Sequence, residues 1–310
     1  MIRLAAALIA LGCACALAGC GDSGKSDKGE ATSTTAAPPG TLEALWRGPG
    51  EDVALVPGTS DYGTGRNRVS FLIVDKQSQL IERPTARVWI ARGLKQKPYA
   101  ETTAKLEPIG VPGGAKADAQ NIYVTNVETP APGTYWILAE PAGGKRIQAL
   151  GNVVVRKHAA APSVGERAIP SRNPTLQPGA DPKAVKAATT AEPPDLNLLR
   201  TTVAAAMAAK RPFVVTFATP LYCQTRTCGP VVQVVQSVAR DWQGKGVDFI
   251  HIEIYKDNDP SKGTNRWVEA WHLQSEPFTF VVDRTGVIRT RLEGAFSAAE
   301  LEAAVRRVAA

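Results

Sequence analysis

Three things are scarce in this chain: cysteine, aromatic residues and long apolar runs. Of 310 residues, five are cysteine, three histidine and two methionine, and aromatics make up 6%. A helix that crosses a bilayer needs about 20 successive apolar residues, and no such run is present, which excludes a polytopic membrane protein. Lys and Arg number 36 against 29 Asp and Glu, a formal net charge of +7. Dense basic runs and aromatic-basic interleaving are both lacking, so nucleic acid is not an expected partner. Gly (27) and Pro (23) follow no fixed period, which excludes a collagen-like chain. What remains, 44% hydrophobic and 21% charged residues, is the composition of an ordinary globular protein rather than a disordered one. At roughly 150 residues per domain, the length predicts two domains.

The N-terminus reads as an address. Met1-Ile2-Arg3 is a short basic start, and Leu4 to Leu17 is apolar but too short to span a bilayer. It ends in Leu17-Ala18-Gly19-Cys20, followed by polar Gly21-Asp22-Ser23. This resembles the bacterial lipobox. The resemblance implies that residues 1–19 are a signal peptide and that Cys20 carries lipid. It also implies that the protein is anchored to the cell membrane on its extracytoplasmic side. Cys13 and Cys15 would leave with the signal, so only Cys223 and Cys228 remain as thiols. One close pair in an exported chain points to a disulfide, catalytic or structural.

Residues 20–41 are rich in Gly, Ser, Thr, Lys and Ala and read as a lipidated flexible tether. Residues 42–157 read as all-β. Strand-like runs fall at Val69–Val74, Ala86–Ile90, Asn121–Val127, Thr134–Leu138 and Gly151–Val155, with Gly- and Pro-rich turns between them. Pro132-Gly133-Thr134-Tyr135 resembles the entry to a late strand of immunoglobulin-like domains, which implies an immunoglobulin-like β-sandwich. The missing cysteine pair excludes an antibody-type domain, and no catalytic constellation is present, so a spacer or docking module is expected. Residues 158–195 carry seven prolines in 38 positions and read as a linker. Within it, Val164 to Pro170 resembles the lead-in of exported redoxin domains.

Residues 196–310 alternate helix and strand in the order αβαβαββα, which predicts a parallel sheet with crossover helices and an antiparallel edge hairpin. Three motifs carry a resemblance to the thioredoxin-like fold. They are Phe217 to Cys223 running on to Cys228-Gly229-Pro230, Glu276-Pro277 directly before a strand, and Phe280 to Gly286 as the following hairpin. The resemblance implies an extracytoplasmic thiol-disulfide oxidoreductase acting on protein thiols or disulfides, with no cofactor. Cys228 and Cys223 would be its catalytic pair. Pro277, matching the family's cis-proline, and Glu276 would position the substrate chain. Thiolate is the reactive form of cysteine, and a helix N-terminus stabilises it. Pro230 suits a first helical turn, so Cys228 would sit at the positive end of the dipole with the charge of Arg226 close by.

The chain departs from that family in two places. Its pair is spaced Cys-x4-Cys rather than Cys-x-x-Cys. On one helix the two would lie about 7.5 Å apart along the axis, beyond the roughly 7 Å between Cα atoms that a disulfide tolerates. Cys223 is therefore expected in the loop before the helix, folded back toward Cys228. The helix argument favours Cys228 as the attacking thiol, and distance from the strand favours Cys223. Thr216 stands where thioredoxins bury a carboxylate. Other readings are a tethered scaffold with a structural disulfide, a Sco-like copper site of Cys223, Cys228 and His272 with His251 behind, and a peroxidase. For the last, Pro220, Thr225 and Cys228 stand one residue out of register. Glu253 and Glu276 are candidate proton acceptors near the thiols. Asp257 to Gly263 reads as a surface turn rather than a calcium loop.

Overall fold

A computed structural model describes residues 37–223 and 226–309. The expected signal peptide, the lipidation candidate Cys20, most of the tether and Thr225 lie outside the described residues. Residues 37–310 form one compact unit.

Helix α1 (Leu42–Trp46) opens the fold, its first turn capped by the Thr41 hydroxyl, which accepts from the Ala44 amide. Seven strands follow: β1 (Glu51–Pro57), β2 (Gly65–Val74), β3 (Thr85–Ala91), β4 (Ala100–Pro108), β5 (Asn121–Thr129), β6 (Gly133–Pro141) and β7 (Ile147–Val155). In β1, Val53 and Leu55 are buried while Asp52, Ala54 and Val56 face outward, the period-2 pattern of a strand with one wet face. Phe71 and Tyr123 stack inside with ring centroids 5.4 Å apart.

The strands run β1-β2-β5-β4-β3-β6-β7, and the sheet closes into a barrel where β1 pairs in parallel with β7, Glu51 opposite Ile147 through Ala54 opposite Leu150. This overturns the expected immunoglobulin-like sandwich. The two strands that the sequence reading did not place, β1 and β4, are the ones that join the rest. β4 (AETTAKLEP) buries only Ala104, yet it bridges β3 and β5. With both in place no sheet edge is left open, and a closed barrel replaces two facing sheets.

The proline-rich stretch is ordered against the second half of the chain. Asp181 caps a helix, α2 (Pro182–Ala188), accepting from the Lys183 and Ala184 amides. Further helices are α3 (Val203–Ala208), α4 (Cys228–Asp241), α5 (Arg266–Ala270) and α6 (Ala298–Ala309); the strands are β8 (Phe213–Phe217), β9 (Asp248–Ile252), β10 (Phe278–Val282) and β11 (Ile288–Glu293). Every residue of β8 and β10 is buried, as a strand covered on both faces requires. One face packs Val231, Val235 and Val238 of α4 against Leu301 and Val305 of α6. The other packs Phe217, Trp271 and Phe280, with Phe217 and Trp271 ring centroids 5.2 Å apart.

The expected thioredoxin-like α/β domain with a parallel sheet is also corrected. The sheet has four strands in the order β11-β10-β8-β9, and only β8 and β9 are parallel; β10 runs antiparallel to both its neighbours. Helical cover is thin. The helix expected across Leu198–Lys210 breaks into a 3-10 turn (Leu196–Leu199) and the six-residue α3, because Thr202 caps a new start. The helix expected across Thr264–Leu273 shrinks to the five residues of α5, between the Asn265 cap and His272, which adopts the left-handed region at φ 52°.

Barrel and second sheet meet along a buried polar seam. The Asp61 carboxylate, 2% exposed, accepts from the Ala160 and Ala161 amides at 2.8 Å and from Arg291 at 2.5 Å. Glu293 accepts from the Ser60 amide and hydroxyl, the Asp61 amide and the Ser275 hydroxyl, the last at 2.7 Å. Gly294 sits at φ +71° with no room for a Cβ against the Gly58 carbonyl, so glycine permits this close approach.

Candidate functional site

The fully buried β8 delivers the chain to Ala218 and Thr219 at the edge of the core, and α4 begins eleven residues after Phe217 at Cys228. Arg226 adopts the left-handed region (φ 53°), and its amide donates to the Cys223 carbonyl at 3.3 Å. This turn folds Cys223 back over the helix start, as the Cys-x4-Cys spacing requires. The Cys228 amide, at the N-terminus of α4, then donates to the Cys223 sulfur at 3.2 Å. No disulfide joins the two cysteines in this structure; Cys223 is half-buried and Cys228 fully buried.

That geometry separates the two thiols chemically. The Cys228 thiol is pushed far up by its hydrogen bond with Cys223, by burial and by the negative charges of Cys223 and Glu276, with a backbone hydrogen bond at Thr219 working the other way. The dipole end of α4 is aimed at the Cys223 sulfur instead.

Glu276 completes the cluster. It precedes Pro277 across a cis peptide bond, at the entry to β10. Its carboxylate and the two sulfurs all lie within 4.8 Å of one another. Oxygen Oε2 of Glu276 is buried with no hydrogen-bond partner. Burial, followed by the charges of Cys223 and Glu253, pushes this carboxyl up to about 7. A carboxyl that titrates near neutrality beside a thiol pair is equipped to take and return a proton.

Behind it lies a second buried carboxylate, Glu253, just past β9. It is held by the Thr190 amide at 2.5 Å and hydroxyl at 3.0 Å and by the Thr189 hydroxyl at 3.3 Å. The Thr190 hydroxyl also accepts from the Leu221 amide at 3.2 Å, tying this network to the loop that carries Cys223. His251 is buried with Nε2 3.0 Å from the Ala218 carbonyl oxygen and 3.9 Å from Glu253.

The structure thus brings together Cys223, Cys228 and Glu276, with Pro277 following Glu276 in the chain. It does not bring Arg226 to the sulfurs: that guanidinium is largely exposed, 4.0 Å from Asp118 of the β4–β5 loop. His272 is exposed at the end of α5 and is not in the cluster. Thr216 is buried, paired with the Thr279 hydroxyl at 3.0 Å. Sequence reasoning missed Thr189 and Thr190, inside the Pro/Ala-rich stretch read as a linker. It also missed the β4–β5 loop, where the Ala115 amide donates to Gln233 of α4 at 2.6 Å. Tyr255 was missed too; its hydroxyl is raised by burial and then by the charges of Glu276, Cys223 and Cys228. No sequence motif marks any of these.

No family model matches the chain. No curated protein matches it either. Among solved structures, part of the chain is similar to a Chlorobium tepidum protein described as a thiol:disulfide interchange protein DsbE. That match has 15% identity and a TM-score of 0.26, and covers 33% of this chain and 84% of the other. A second similar structure is a thiol:disulfide interchange protein of the thioredoxin family from Chlorobium tepidum TLS. It has 13% identity and a TM-score of 0.26, and covers 47% of this chain and all of the other.

Proposed function

We propose that the chain is a thiol-disulfide oxidoreductase whose half-buried Cys223 attacks and whose buried Cys228 resolves. The observation that carries this reading is the Cys228 amide donating to the Cys223 sulfur, with the Glu276 carboxylate within 4.8 Å of both sulfurs. An attacking sulfur must be reachable and must accept hydrogen bonds as thiolate; Cys223 is half-buried rather than fully buried, and its sulfur accepts the Cys228 amide. Its thiolate attacks one sulfur of a partner disulfide, forming a mixed disulfide and expelling the partner's other sulfur as thiolate. Cys228 then gives its proton to Glu276 and attacks the Cys223 sulfur. The partner's second thiolate leaves, and the chain retains a Cys223–Cys228 disulfide. Two electrons have passed to the partner, and the reverse path oxidises a partner dithiol. Pro277, buried at the entry to β10 directly after Glu276, is assigned a part in positioning the substrate backbone, and Arg226 a part at longer range on incoming charge.

The reading includes a place for the reaction. Leu17-Ala18-Gly19-Cys20 supports lipid anchoring through Cys20 on the extracytoplasmic face of the cell membrane, where disulfides persist and exchange partners are found.

Equilibration of the full chain in detergent with glutathione buffers, read by thiol mass labelling, tests the proposal. A Cys223–Cys228 reduction potential between about −120 and −270 mV is expected. A value below about −300 mV marks a structural disulfide and a tethered binding module instead.

A further inference from the structure

We infer that the reduced pair is also a zinc site, with Cys223, Cys228 and Glu276 as its three protein ligands. The inference needs the two thiols to be reduced and close together; it does not need them to exchange with a partner. Each residue offers one ligand atom, and the three atoms lie within 4.8 Å of one another. A tetrahedral zinc ion binds thiolate sulfur at about 2.3 Å and carboxylate oxygen at about 2.0–2.2 Å. Those lengths place ligand atoms roughly 3.5–3.8 Å apart, so the cluster closes on the ion by about 1.3 Å at most. Cys223 lies before α4 rather than on the helix.

A second observation is independent of the thiols. Glu276 Oε2 is buried and has no hydrogen-bond partner. Leaving a buried acceptor unmatched is unfavourable, so an atom in this state calls for a partner. A cation between the sulfurs supplies one.

The donor set selects the metal. Two thiolates and one carboxylate combine soft and hard ligands, the mixture that borderline zinc accepts. Copper(I) favours sulfur and imidazole, and His272, the imidazole that a copper reading needs, lies outside the cluster. Calcium and magnesium take oxygen ligands and have only Glu276 here. Three protein ligands leave the fourth position to water or to an incoming group, which is an open site rather than a closed structural one. Zinc binding releases the thiol protons and leaves sulfur in its reduced state, so metal occupancy and the Cys223–Cys228 disulfide exclude each other.

The test titrates zinc ion into the reduced full chain against a chromophoric zinc indicator, with thiol oxidation by glutathione disulfide followed in parallel. The expected result is one zinc per chain, none in the oxidised protein, and slower oxidation when zinc is bound. Glu276→Gln is expected to weaken zinc binding by at least about 10-fold, while His272→Ala leaves it unchanged. The oxidised wild type serves as the thiol-free control, so the outcome does not depend on a Cys228 variant folding. Equal zinc affinity in wild type and Glu276→Gln overturns the inference, as does equal affinity in oxidised and reduced protein. If zinc binds but the thiols do not pair in glutathione buffer, the exchange reading fails and this one stands. If they pair but zinc does not bind, the reverse holds.

Discussion

At the residue scale, Glu276 is the group whose environment does most to set the chemistry. Its carboxyl is raised to about 7, first by burial and then by the charges of Cys223 and Glu253. In the unfolded chain it titrates near the ordinary value of 4.5. Between those values the unfolded state loses its proton first, so stability falls as pH rises from about 4.5 to about 7 and levels off above. Glu276→Gln is expected to flatten that slope, which urea unfolding at pH 5 and pH 7.5 measures. The same variant is expected to remove the rise in resolving rate through pH 7 while leaving the first attack by Cys223 in place. The cysteines divide similarly. Cys228→Ser is expected to accumulate a mixed disulfide through Cys223 on reaction with a disulfide probe, and Cys223→Ser to accumulate none; mass spectrometry of the two adducts distinguishes them. The reverse pattern would make Cys228 the attacker, as the helix argument from sequence alone favoured. Burial favours Cys223 as the attacker: Cys228 is fully buried and gives its helix-end amide to the other sulfur.

At the element scale, what was legible in the sequence follows local pattern. β8 and β10 are apolar runs interrupted only by Thr216 and Thr279, and α4 starts where Pro230 falls in its first turn. These three elements carry Cys228 and Pro277 to one end of the two central strands, and the sequence indicated them. Strands β1 and β4 were not legible, because β4 keeps most of its residues exposed and takes its hydrogen bonds from β3 and β5 on either side. A strand held by its neighbours needs little apolar pattern of its own. The short α3 and α5 reflect capping: Thr202 and Asn265 bond the first amides of their helices and so fix late starts. Helix packing gives a direct test. Leu301 on α6 is fully buried in the cluster that holds Val231 and Val235 of α4. Leu301→Ala is expected to cost about 2–5 kcal/mol in urea unfolding, because its cavity opens beneath the helix that carries Cys228.

At the scale of the whole molecule, the seam between barrel and second sheet is the feature that no segment announces. Asp61 from the barrel side accepts from two amides of the proline-rich stretch and from Arg291 of β11, and Glu293 links Ser60 to Ser275, the residue before Glu276. Asp61→Ala leaves Arg291 without its charge partner in a site 12% exposed. A loss of about 3–5 kcal/mol is expected from stranding a buried charge, measurable as a lowered urea midpoint. Barrel and sheet are expected to unfold in one transition in the wild type, since residues 37–310 form a single compact unit. Hydrogen exchange that showed the barrel opening alone would contradict this.

The sequence by itself determined the cysteine pair, the loop position of Cys223, the helix start at Cys228 and the apolar strands beneath them. Each of these depends on residue types within a few positions of one another, where spacing and periodicity act directly. Tertiary structure alone decided that seven strands close into a barrel and that Glu276 rather than Arg226 or His272 meets the sulfurs. It also decided that Thr189 and Thr190 of a proline-rich stretch hold Glu253 behind the site. Those outcomes rest on pairings between residues far apart in the chain, such as Glu51 with Ile147 and Thr190 with Glu253, for which a local pattern carries no signal.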